Sequence, residues 1–479
     1  MNYVTQGYEP KRVLEIFEDI CAIPHGSGYE SGVADYIENF ARKNQLFVVR
    51  DGFNNVFVRK NATVGYENTA PILLQGHTDM VCEKNEGSKH CFLSDGLKLL
   101  IKDGCLWADG TTLGGDDGIA VAMMLALLET DRHPTLECLF TVEEETGLAG
   151  AQNFDCSVVS AKRMINLDSE EECQITAGCA GGCRTEFEFG FSEQPTKELA
   201  KTLTVSLTGL AGGHSGAEIN SGKANALVLL GRLLGAAHKE DKFSLVEIRG
   251  GGKDNAIARE AFAVISTEKD KEVSLAVLNE AYQIKKELSS EDGGFTVKVD
   301  YAENAKSCID ADCTERIIAF LLTLRTGVLK MSNQVHGLVE YSRNLGIAVT
   351  EGNKVNFTLS SRSSLEAQLD LSMLELDSLG KLSGAAVRHY ARYPGWEFLP
   401  DSPLRELYNS VYQRIFGKAL TVGVIHAGLE CGILSSKMQG MDIISVGPDM
   451  FDIHSPDEHL SICSCERVWR VLLEVIQSK

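Results

Sequence analysis

Several short apolar runs in this chain end on residues that hold cations. HTDMV follows ILLQG, EEETG follows LFTV, and DSEEE follows MINL, which brings His77, Glu144, Glu145 and Asp168 to the ends of three strand-like segments. LGGDDGIA adds Asp116 and Asp117 at the start of a helix-like run. In open α/β sheets ligands collect at the carboxyl ends of strands, so these residues are expected to share one crevice. A set mixing imidazole and carboxylate suits zinc, cobalt or manganese. Each residue alone has a plainer reading, since a Glu triplet is usually solvated and an Asp before a helix is usually a cap. Together they would pile like charges at one sheet edge, and that repulsion calls for a cation.

The elements that must position them are short. ILLQ, LECLFTV, MINL and DIISV read as buried strands, and Gly118–Thr130 reads as a helix packed on the sheet they form. Residues 10–46 read as helical, interrupted by the loop IPHGSGYES. Alternating strand and helix implies an α/β sheet. From about Glu186 the pattern changes to KTLTVSLTGL, KANALVLLGRLLGAAH and AFAVIST, followed by a similar succession from Val273 to about Glu397. This predicts a first domain of residues 1–185 and 398–479, a mixed sheet flanked by helices, with an α+β domain of residues 186–397 inserted in it.

At 479 residues, with 44% hydrophobic and 24% charged content, the chain can bury a large core in more than one domain. Its net charge of -21 repels phosphate backbones and anionic lipid surfaces, which argues against nucleic acid and membrane partners. The opening MNYVTQGYEPKRVLEIF lacks a signal-peptide layout, and no apolar run approaches the roughly 20 residues that span a bilayer. Fourteen scattered cysteines without a framework read as reduced thiols, and the expected compartment is the cytoplasm. The spacings Cys179/Cys183 and Cys463/Cys465 lack the second pair that a finger-like site needs.

HTDMV, GGDDGIA, EEETG, NLDSE and the late HSPDE, in this order through nearly the whole chain, resemble the aminoacyl-histidine dipeptidase family (peptidase D), one of the dizinc exopeptidases. The resemblance implies a zinc-exopeptidase-like catalytic domain with an inserted lid. It implies two divalent ions per chain, zinc favoured and cobalt or manganese able to substitute. Asp116 would bridge them, His77 and Asp168 would complete one site, and Glu145 and His454 the other. Asp116 is preferred to Asp117 because in the superfamily the bridging Asp follows a small residue and precedes a variable one, places that Gly115 and Asp117 fill. Two ions about 3.5 to 4 Å apart lower the pKa of a shared water and polarise a carbonyl. Glu144 would be the general base. Asp79, two residues after His77, would hold the imidazole through its other nitrogen.

In the inserted domain, GGHSG around His214 resembles the lid motif whose His stabilises an oxyanion, a contribution of roughly 2.7 to 4 kcal/mol for one such donor. Arg362 in TLSSRSS resembles the lid Arg that clamps the substrate carboxylate, and Asn255 a second lid contact. His426 and Glu430 in HAGLE lie where relatives have a substrate loop, and either can instead serve the fold. His459, five residues after His454, is a competing ligand that the HSPDE context disfavours, and the other histidines are expected in surface or core roles. The lid is long enough for two similar halves, so a monomer is the alternative to the expected homodimer through the lid. The implied activity is hydrolysis of dipeptides, Xaa-His and carnosine-like peptides included. The alternatives are a tripeptidase or N-acyl amino acid amidohydrolase and, outside enzymes, a noncatalytic metal- or peptide-binding protein.

Overall fold

A computed structural model describes residues 3–478, which divide into two compact units. The first runs to Cys179 and resumes over Trp396–Val424 and from Leu429; the second comprises Ala180–Gly395 and Ile425–Gly428. Residues 181–185, expected in the first domain, belong to the strand Gly181–Gly190, which pairs along its length with Lys354–Ser363 in the second unit. A boundary at 185 would cut that ladder.

The first unit is organised on an eight-stranded sheet. Its middle is parallel: Leu136–Thr141, Ile72–His77, Arg163–Asn166 and Asp442–Ser445 lie side by side in that order. The first two are buried at every position, as strands covered on both faces must be. The antiparallel strands Val56–Lys60 and Phe47–Arg50 extend one edge. The crossover between Ile72–His77 and Leu136–Thr141 is the helix Gly115–Leu127, buried throughout and, after Asp116 and Asp117 in its first turn, apolar all round. Each fully buried Leu, Ile or Met of such a helix contributes roughly 1.5–3 kcal/mol, so it is held by packing and not by amphipathic docking. Because the register pairs His77 with Thr141, and Gln75 with Asn166, the segments carrying His77, Glu144 and Asp168 leave the sheet at one level.

The second unit is an antiparallel sheet of nine strands whose faces alternate buried and exposed, as in Gly181–Gly190 and Lys201–Thr208. Four helices, Ala226–Glu240, Asp270–Lys285, Ala311–Thr323 and Glu366–Ser383, supply the rest of its core. Its strand order is twofold. Thr296–Tyr301, Lys201–Thr208, Ala261–Thr267 and Ser244–Gly250 make one half, ordered 4-1-3-2 by their place in the chain. Ala386–Tyr393, Gly181–Gly190, Lys354–Ser363 and Val339–Glu351 repeat that order in mirror sequence. The halves meet through a single registered pair, Gly250 with Ala348.

Candidate dimetal site and a cationic cluster

The His77 loop is fixed before any ligand is considered. Met80 N–H donates to the His25 carbonyl (3.2 Å), and Ser27 Oγ donates to Asp79 Oδ2 (2.8 Å). Asp79 in turn accepts the backbone N–H groups of Glu144 (3.0 Å) and Glu145 (3.2 Å). One buried carboxylate thus ties the His77 strand end to the turn bearing both glutamates. His77 Nδ1 donates to the Asp79 carbonyl (3.0 Å), with the Asp79 carboxylate 3.4 Å away, and this leaves Nε2 to face the crevice.

Around Nε2 the acids converge. Asp116 Oδ1 lies 3.1 Å from it and Asp168 Oδ1 3.6 Å. The other Asp116 oxygen, Oδ2, faces His454 Nε2 at 3.3 Å, and that nitrogen also meets Glu145 Oε1 at 2.9 Å. Asp116 therefore presents one oxygen to His77 and Asp168 and the other to His454 and Glu145. His454 holds a left-handed backbone (φ 60°), as does Glu143 (φ 51°), conformations a β-carbon makes costly and that cluster at functional sites.

The electrostatics show what this cluster lacks. Burial opposes a charge on His77, yet hydrogen bonds to Asp116, Asp168 and Asp79 draw its pKa well above the imidazole range. His454 rises to about 10 through Asp116 and Glu145. Burial, with the Asp116 charge added, pushes Asp168 up to about 7, and burial carries Glu144 well above a carboxylate's usual value. The acids draw protons onto both imidazoles because the crevice lacks positive charge, and divalent cations would displace those protons. The donor set fits such ions: His77, Asp116 and Glu145 can converge on one, as can His77, Asp117 and Asp168.

Asp117 is the unexpected member. It is fully buried, its Oδ2 accepts the His77 backbone N–H (3.2 Å), and its Oδ1 has no partner among the described residues. Only Asp116 of the two faces both imidazoles. Gly76 is where a side chain would not fit, since a β-carbon there would lie 2.4 Å from Asp117 Oδ2. His459 stays outside the cluster, stacked on Trp107 with ring centroids 4.0 Å apart. No cysteine joins a candidate metal group among the described residues.

Sequence reasoning missed one positioning acid, Glu458, and left Glu430 between a substrate contact and a role in the fold. Glu458, inside HSPDE, accepts N–H groups from Leu113 (2.9 Å) and Gly115 (2.8 Å) and so holds the loop that delivers Asp116. Its place four residues after His454 was the available signal. Glu430 is fully buried, accepts from Gln75 Nε2 and Thr141 Oγ1 (both 2.6 Å), and is raised to about 7 by burial. It opens the helix Glu430–Lys437 and bonds two of the central strands from there.

In the second unit a different cluster forms. Arg362 is buried, its Nη1 donates to Tyr393 OH (3.2 Å), and its Nε has no partner among the described residues. Its strand partner Ser342 shares a hydrogen bond with His426 Nε2 (2.7 Å). Burial, then the Arg362 charge, lowers His426 to about 3 and depresses His214 as well, so both imidazoles are neutral at pH 7. His214 Nδ1 accepts from Ala217 N–H (3.0 Å), which places the ring's proton on Nε2. Asn255 precedes the strand Ala256–Ile257, paired with Gly213–His214, and its carbonyl accepts from Ser215 N–H (2.9 Å).

Comparison with known proteins gives the chain a family. Residues 73–478 match the model of peptidase family M20/M25/M40. The cytosol non-specific dipeptidase of Escherichia coli (strain K12) is 38% identical over 472 residues, 98% of this chain and 97% of that protein. The crystal structure of aminoacylhistidine dipeptidase from Vibrio alginolyticus is similar with a TM-score of 0.93 at 35% identity, covering 99% of this chain and 98% of that one. The aminopeptidase PepT from Bacillus cereus shares the fold, with a TM-score of 0.57 at 14% identity and 98% coverage of both chains.

Proposed function

This chain belongs to peptidase family M20/M25/M40, and we propose that it is a metal-dependent dipeptidase acting on unblocked dipeptides, with a preference for a C-terminal His and carnosine-like peptides included. The observation that carries the reading is Asp116, whose two oxygens face two separate imidazole and carboxylate pairs. The proposed ligands are His77, Asp116 and Asp168 for one divalent ion and Asp116, Glu145 and His454 for the other, with zinc favoured and cobalt or manganese able to replace it. Bound there, two such ions would lower the pKa of a water and polarise the scissile carbonyl.

The chain's own residues do the rest. Glu144 takes the water's proton and returns it to the leaving amine, a role suited to a carboxyl whose proton affinity burial has raised. Asp79 orients His77 and holds the Glu144 turn. Arg362 takes the peptide carboxylate, for which a buried guanidinium with a free Nε–H is suited. Neutral His214 is a donor for the developing oxyanion, and Asn255 and His426 line the same substrate-binding set.

Small peptides are the proposed partners and the cytoplasm the proposed compartment. Among the described residues no helix is long and apolar enough to cross a membrane. A homodimer through the second unit is the proposed assembly; the mirrored strand order of that unit favours a monomer as the second reading, and light scattering distinguishes the two. The activity is tested with purified protein on His-containing dipeptides before and after chelation, with zinc, cobalt or manganese returned, beside a tripeptide and an N-acyl amino acid. Dipeptide hydrolysis that chelation abolishes and metal restores is expected. Metal-loaded protein that leaves every dipeptide intact overturns the reading.

A further inference from the structure

The loop that carries Glu145 also walls a pocket that the mechanism above leaves unused. It has a volume of about 470 Å3 and lies wholly in the first unit, built from residues 26, 27, 29, 80–83, 92–93 and 145–146. That volume is ample for one large side chain. Met80 is buried in its wall, while Tyr29 and Leu93 stand exposed at 58% and 61%. Exposed aromatic and aliphatic groups around a depression mark a surface that something covers. The pocket is also tied to the chemistry: residues 26 and 80 form a bridge, and Ser27 bonds Asp79, which holds the Glu145 backbone. A ligand seated here is therefore in register with the metal-binding turn.

Charge selects the occupant. The lining includes no basic side chain and two carboxylates: Glu145, which the proposed mechanism commits to a metal ion, and Glu83, which stays free to act as a charge. Glu83 makes no ion pair among the described residues. Such a rim repels a peptide carboxylate and attracts an ammonium, so a C-terminal residue is disfavoured and a residue with a free α-amino group is favoured. We infer that this pocket is the subsite for the substrate's N-terminal residue, taking an apolar side chain of leucine or methionine size against Tyr29, Met80, Phe92 and Leu93, with Glu83 facing the α-ammonium. The inference rests on the dipeptidase reading and adds to it a substrate class, dipeptides with a large apolar first residue.

The test is steady-state hydrolysis by the zinc-loaded full chain of Leu-His and Gly-His, which differ only in the first residue, together with N-acetyl-Leu-His. The wild type is expected to favour Leu-His over Gly-His by at least about tenfold in kcat/KM, the range a hydrophobic subsite gives. Acetylation, which removes the ammonium, is expected to cost at least as much. In the double variant Tyr29→Ala, Leu93→Ala the Leu-His preference should collapse to within about twofold, the scale left when the apolar wall is gone. Both side chains are exposed, and bound zinc checks that the variant is folded. A wild-type ratio near one, or a ratio the double variant preserves, overturns this subsite while leaving the dipeptidase reading intact. Zinc-loaded protein that cleaves neither dipeptide overturns both.

Discussion

Around His77 the first unit gathers carboxylates, of which burial pushes Asp168, Asp117 and Glu144 toward the protonated form, and around Arg362 the second gathers imidazoles that burial and the guanidinium keep neutral. The first cluster has acids in excess and its imidazoles are driven toward the charged form. The second has one buried cation, no acid bonded to it among the described residues, and donors that cannot add positive charge near pH 7. Their difference separates two tasks that a peptidase needs: holding cations that act on the carbonyl, and receiving an anion without competing for those cations. A metal ion would be repelled from the second cluster, and a substrate carboxylate from the first while its ions are absent.

The largest effect that tests this division is on turnover. Glu144→Ala is expected to keep both metals and lower kcat by about a thousandfold, within the range one general base supplies. Metal content and kcat are read on the same sample; substantial residual turnover, or loss of metal with it, removes Glu144 from the base's role. Arg362→Ala should leave metal content untouched and raise KM for dipeptides by about a hundredfold, as expected for one lost charge-assisted contact of about 2–3 kcal/mol. If kcat fell and KM stayed, the guanidinium would not be the carboxylate's receptor. Asp79→Asn should weaken zinc binding by about 10- to 100-fold, the usual cost of a partner behind a metal-bound His, measured by competition with a chromophoric chelator. Unchanged affinity would mean that Asp79 serves the turn alone.

How much of this was legible depended on where the information lies along the chain. His77, Glu144, Glu145 and Asp168 could be read because each directly follows a buried strand, and a parallel sheet puts such ends at one level. The α/β and α+β character of the two units was readable for the same reason, in the alternation of strand-like and helix-like runs. Glu458 had only its place four residues after His454 to mark it, since its partners Leu113 and Gly115 lie more than 340 residues earlier and no local pattern encodes that closure. The choice between Asp116 and Asp117 came from family resemblance, because adjacent acids are equivalent in spacing; only His454, brought beside one of them by the fold, distinguishes them. In the second unit Arg362 and His426 were singled out separately. That Ser342 joins them follows from a cross-strand register and from the short segment Ile425–Gly428, which clusters with a unit whose main body ends at Gly395.

The smallest expected effect is also the one that separates the two clusters by pH. His426 has an ordinary value of 6.5 and a folded value of about 3, set first by burial and then by Arg362 and His214. Because the folded value is the lower one, the unfolded chain takes up a proton first as pH falls. Stability from this group is complete above about pH 6.5 and declines toward pH 3, at up to about 1.4 kcal/mol per pH unit. Between pH 7 and pH 5 the loss is about 2 kcal/mol. Gln at this position cannot titrate but can still hydrogen-bond Ser342, so His426→Gln should destabilise the chain less on acidification than the wild type. The remaining buried imidazoles of lowered pKa, such as His25 and His238, act equally in both proteins and cancel in the comparison. Urea unfolding at pH 7 and pH 5 gives the two losses. If they are equal, His426 is not held neutral by its surroundings, and the account of the second cluster as a receptor with one cation and neutral donors fails at that residue.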